Sequence, residues 1–168
     1  KEFTAQIEAS DFARTKKMFW SRQHDHTIDF IHFHRDGSSY GAPLNFSVSI
    51  RVHFGIPVIN DGFVAAALNG PYSDATLTRA GRYHLRFTAK TGSTYDRCLN
   101  DLVRFTQEQG EPWFKKFQDT KKLIKDSKSP LKDDSKEFLK AALDGETNPD
   151  NAALSYKLLG INNTDQTR

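Results

Sequence analysis

The chain has 168 residues, 37% of them hydrophobic and 27% charged, with a formal charge of +3, which suits one ordinary globular domain large enough to bury a core. A single cysteine, Cys98, excludes an intramolecular disulfide and a cysteine-based metal cage and favours a reducing compartment. The apolar runs are too short to span a bilayer and no basic-then-apolar leader opens the sequence, so a cytoplasmic protein without membrane association is expected. Residues 1–94 hold eleven Lys/Arg against eight Asp/Glu, while residues 95–168 hold thirteen of each. The basic excess therefore falls in the first half.

In chain order, residues 3–14 place Phe3, Ile7 and Phe12 on roughly one side, which predicts a short helix. Lys17–Ser21 and Thr27–His34 read as a hairpin, with Arg22–His26 as its turn. In the second strand Asp29, Ile31 and Phe33 share one face, and Ile28, Phe30, His32 and His34 share the other. Residues 35–44, RDGSSYGAPL, have the Gly, Ser and Pro content of a loop. Asn45–Phe54 then alternates for ten residues: Phe46, Val48, Ile50, Val52 and Phe54 against Asn45, Ser47, Ser49, Arg51 and His53. A period of two marks a strand with one dry and one wet face, as in an antiparallel sheet packed on one side. Phe63–Leu68 predicts one or two helical turns. Arg82–Thr88 alternates again, with Tyr83, Leu85 and Phe87 inward and Arg82, His84 and Arg86 outward.

The period then changes. Ser93–Gln109 carries Tyr95, Cys98, Leu99, Leu102, Val103 and Thr106 at helical spacing. Gly110 reads as its C-cap, and Pro112 as the bar to its continuation. Residues 112–118 form a short amphipathic turn, and residues 119–133 a solvated Lys/Asp-rich linker. Asp134–Leu143 is a helix ending at Gly145. Asn148 N-caps a last helix with Pro149 at its first position, and Gly160 ends it. Strands first and helices last predict an α+β fold: an antiparallel sheet of about four strands with one face covered by C-terminal helices. A single domain over residues 1–161 is expected, with 162–168 as a polar tail.

Three constellations bear on function. His24, His26, His32 and His34 tempt a tetrahedral metal reading. His26 and His32, six residues apart on an extended chain, are separated by about 20 Å, so all four cannot meet. His32 and His34 share a face, and a third ligand would come from His53 or His84. The second constellation is the wet face itself. Arg51, His53, Arg82, His84 and Arg86 all fall on the polar phase of their strands and would form one basic patch if those strands are neighbours. No named nucleic-acid signature accompanies them. Third, Cys98 lies on a helix's apolar stripe, which suits a core residue better than a nucleophile. No phosphate loop, nucleophile elbow or spaced carboxylate pair is present.

The order FARTKKMFW (12–20), IDFIHFH (28–34), NFSVSIRVHFG (45–55), RYHLRF (82–87), PWFKKF (112–117) and the final helix resembles the bacterial family known as domain of unknown function 4304. The resemblance spans roughly residues 3–160. It implies an α+β architecture and a bacterial or phage origin, and it implies no catalytic residue. The sequence thus points first to a non-enzymatic binding module, an immunity or antitoxin-like protein that occludes a protein partner, with no cofactor and no bound metal. The alternatives are nucleic-acid or phosphate binding through Arg51, His53, Arg82, His84 and Arg86, and a metal-dependent hydrolase or nuclease using sheet histidines.

Overall fold

A ten-residue strand from Ser47 to Ile56 (β4) is the hub of the sheet, as its unbroken alternation requires. In the computed structural model, residues 1–36, 47–61, 68–70, 82–88 and 92–162 are described. The other strands among them are β1 (Ala13–Lys16), β2 (Phe19–Gln23), β3 (Ile28–Asp36), β5 (Leu68–Asn69) and β6 (Arg86–Thr88). Strand order is β1-β2-β3-β4, and both β5 and β6 pair with the remaining edge of β4. All pairings are antiparallel. The helices are α1 (Glu2–Gln6), α2 (Gly92–Phe105), α3 (Glu111–Lys116), α4 (Thr120–Lys125), α5 (Asp133–Leu143) and α6 (Pro149–Leu159). None is long and apolar enough to cross a membrane.

The fold is α+β with a mainly helical lid over one sheet face. That face presents Trp20, Ile31, Phe33, Val52 and Phe54, all buried. Phe3 and Ile7 from the N-terminal segment, Cys98, Leu102 and Phe105 from α2, Phe114 from α3, and Leu139 from α5 complete this core. Phe54 is at its centre, stacked on Phe105 at 5.2 Å and edge-on to Phe114 at 5.6 Å. Such ring pairs contribute about 0.5–1.5 kcal/mol beyond area burial.

The local expectations change in several places. The first helix is short: Asp11 adopts a left-handed backbone at φ 59°, and the chain beyond it extends into β1, so Ala13 and Arg14 are strand residues. The hairpin turn moves to His24–Thr27, closed by the His24 amide donating to the Thr27 carbonyl at 2.9 Å. Arg22 and Gln23 are in β2, and Arg35 and Asp36 in β3. Leu68, expected in a helical turn, pairs with Ile56 in β5. Of the strand expected over Arg82–Thr88, only Arg86–Thr88 forms β6. Residues 37–46, most of 63–68, and 163–168 of the tail lie outside the described residues.

Gly110 does not cap α2. A π-turn at Thr106–Gly110 carries the helix into α3, with the Glu111 amide donating to the Thr106 carbonyl. Pro112 sits in the first turn of α3, directly after the π-turn. The Lys-rich linker contains α4, and its Leu123 and Leu131 are buried in the main core.

One helix lies on the other side of the sheet. Leu159 and Ile161, with Ala152 and Tyr156, pack on Ile28, Phe30, Phe19 and Ile59. This second, smaller core covers one end of the face that the alternation left polar.

Candidate functional site

Strand register determines what the rest of that face carries. His32 is opposite His53, His34 opposite Arg51, and Ser49 opposite Arg86. Side chains directly opposite one another project to the same side, so three imidazoles and two guanidinium groups share one surface. The His32 and His34 rings are 3.8 Å apart, and His34 and His53 are 6.5 Å apart. Phe19 and Phe30 close the α6 end, with Phe19 5.3 Å from His32 and Phe30 edge-on to His53 at 5.3 Å.

Polar contacts hold parts of this surface in place. His53 Nε2 bonds Asn69 Oδ1 at 2.7 Å, across the β4–β5 pair. Arg86 Nε donates to Ser49 Oγ at 3.0 Å. Partial burial and the neighbouring imidazoles push His32 down to about 4. Burial, His53 and Arg51 also lower His34. A group that loses water beside other cations resists its own charge. At neutral pH His32 is therefore an uncharged hydrogen-bonding group.

Arg51, His53 and Arg86 thus share this surface with His32 and His34. Arg82 does not join them. Residues 82–84 lie outside the ladder, which the Leu85 carbonyl still joins by accepting from the Ile50 amide at 2.9 Å, and Arg82 pairs with Glu108 at 3.2 Å beside α2. Glu108 also accepts from the Tyr83 hydroxyl. The His84 amide donates to Asp101 Oδ2 at 2.6 Å. Arg104 reaches the Arg82 carbonyl at 3.0 Å and Asp101 at 2.8 Å. Carboxylates on α2 and the π-turn draw this segment away from the sheet, and alternation within 82–88 could not reveal them.

Among the described residues no group of three or more His, Cys, Asp or Glu side chains is arranged to hold a metal ion. His24 is turned to Asp29, at 2.8 Å. Cys98 is buried, and desolvation followed by the nearby Asp101 pushes its thiol up to about 12, far from the range of a thiolate nucleophile.

Two features escaped the sequence reading. Asp29, on the apolar phase of β3, is 1% exposed. It accepts from Arg22 at 2.8 Å, and Arg22 also reaches Glu111 at 3.2 Å and the Ser10 carbonyl at 2.9 Å. The Arg22 guanidinium lies 4.4 Å from the Phe12 ring. A carboxylate on a dry strand face is itself the signal, because burying it alone is prohibitive. The second feature is Leu154 and Leu158, 39% and 47% exposed, one turn apart on α6. Their spacing, next to the buried Ser155/Leu159 pair, was visible in the sequence. Comparison with protein-family models, curated proteins and solved structures finds no match to this chain.

Proposed function

We propose that this chain is a binding module that docks a protein partner, as an immunity or antitoxin protein does when it occludes its target. The docking surface is the side of the molecule formed by the polar face of β3 and β4 together with α6. The observation that carries this reading is the exposed Leu154/Leu158 pair on the helix seated over that face. Large aliphatic side chains held out from a helix at i, i+4 spacing are anchors for a protein surface. The adjoining imidazoles, guanidinium groups and Asn69 supply a hydrogen-bonding floor of the kind that sets orientation at such interfaces.

The charge distribution favours a protein over a polyanion. Arg82 is engaged by Glu108, and His32 is uncharged near neutral pH. Arg51 and Arg86 are then the guanidinium groups on the face, few for a surface that would track a phosphate backbone.

The test is affinity capture from extract of the source cells, with wild-type protein and with the Leu154→Asp/Leu158→Asp variant. A protein retained in stoichiometric amount by wild type, resistant to about 0.5 M salt and lost on the variant, is the expected result. Retention of RNA or DNA, falling steeply with salt and abolished by Arg51→Ala with Arg86→Ala, would establish the nucleic-acid alternative instead.

A further inference from the structure

The opposite face of the sheet holds a second feature, independent of the docking surface. Between α1, α2 and the end of the sheet where β3 departs is a half-open cavity of about 200 Å³. Trp20, Phe33 and Ile50 supply its sheet wall, and Leu99 and Leu102 its α2 wall. Cys98 lines it as a neutral thiol, chemically a small apolar group.

The mouth has a different character. Arg14 and Arg35 line it, together with Lys1. The register explains their position. Arg14 is opposite Trp20, and Arg35 is opposite Ile50, so both arginines occupy the apolar phase of their strands. Both are exposed. An arginine in that phase lays its methylene stem along apolar surface and presents its guanidinium at the edge. Glu2 also lines the cavity, and it accepts a hydrogen bond from the Tyr95 hydroxyl at 2.7 Å. The cavity therefore combines an apolar, aromatic-rich wall with a lining that also carries Arg14, Arg35 and Lys1 beside Glu2.

The geometry points to a binding site for a small amphipathic carboxylate, its tail between the Trp20–Phe33–Ile50 wall and α2 and its head group held by Arg14 and Arg35. A cavity of about 150 Å³ lined by aliphatic and aromatic groups accepts benzene, so this one suits an aliphatic tail of about eight carbons or a substituted ring. The planar two-pronged guanidinium matches a carboxylate better than it matches a hydroxyl. Trp20 reports occupancy directly, because its ring is part of the wall.

The experiment titrates the full chain with octanoate and, separately, with octanol, following tryptophan fluorescence and binding heat. Octanoate is expected to bind one to one, and about tenfold or more tighter than octanol. The Arg14→Glu/Arg35→Glu variant changes two exposed positions, and its fold is checked by circular dichroism. It is expected to lower octanoate affinity to the level of octanol and to leave octanol binding as in wild type. Filling the cavity with Leu99→Trp, at a half-buried position, is expected to abolish both. Equal affinity for the acid and the alcohol, no binding of either, or octanoate binding that survives the double charge reversal would each overturn the assignment.

Discussion

Asp29 shows how one side chain can be costly and necessary together. Its carboxylate is shut off from water between β2 and β3 and is compensated by Arg22, which is 12% exposed and itself shared with Glu111 of α3 and the Ser10 carbonyl. Removing the carboxylate would leave Arg22 only Glu111 and the Ser10 carbonyl, so the cost falls at the low end of the about 3–5 kcal/mol of a broken buried pair. Asp29→Ala is accordingly expected to lower unfolding free energy by about 3 kcal/mol in urea titration. The Arg22→Met/Asp29→Leu double variant should recover part of that loss, since it removes the buried guanidinium with its nearest carboxylate and leaves Glu111, 16% exposed, without its partner. A double variant no more stable than Asp29→Ala would refute this account. Gly110 is constrained in a different way. A methyl group there would come within 2.8 Å of the Phe54 ring, and that ring is fully buried between Phe105 and Phe114. The glycine read as a helix cap is a close-approach glycine, required by packing at the π-turn and not by a left-handed backbone.

Elements differ in how much of their character is local. β4 is read correctly from its alternation because both of its sides are continuous over many residues. α6 is bounded as its residues dictate: the Asn148 side chain accepts from the Asp150 and Asn151 amides, Pro149 occupies the first helical position, and Gly160 closes the helix at φ 72°. Asn148→Ala should cost about 1 kcal/mol, measured as a shift in the urea midpoint. A larger cost would show that the Asn148 backbone, whose amide donates to Asn60 Oδ1 at 2.7 Å, moves when the cap is lost. The passage from α2 to α3 is less local. Pro112 forbids an ordinary continuation, but a π-turn stands just before it, and the helix runs on into α3. α4 is likewise hidden by its lysines: Leu123, buried, and Ile124, half-buried, pack it against the core from within a basic stretch.

Across the whole molecule, the imidazole cluster couples stability to pH. Folded His32 titrates at about 4, below its ordinary 6.5, and His34 is shifted in the same direction. Between those limits the unfolded chain takes up a proton that the native His32 refuses, so protonation favours unfolding. This contribution to stability is complete above pH 6.5 and is lost as pH falls toward 4. With allowance for partial exposure, its size is on the order of 1–2 kcal/mol. Urea midpoints measured from pH 7.5 down to pH 4.5 should fall more steeply for wild type than for His32→Gln. Parallel curves would show that carboxylates alone govern the acid limb.

Alternation and helical spacing are local properties, legible in residues a few positions apart. They suffice for β3, β4, the last helix, the shared side of His32 and His34 on their strand, and the shared side of Arg51 and His53 on theirs; cross-strand register, which merges those sides, is not among them. Periodicity states which side chains of an element share a side; it is silent on what covers that side. The packing of Leu159 against Phe30, the removal of Arg82 by Glu108, and the apolar cavity behind Trp20 all join residues far apart in the chain. Those contacts arise only once loops close and faces compete for burial, which is why the outline was readable along the chain and its surfaces needed three dimensions.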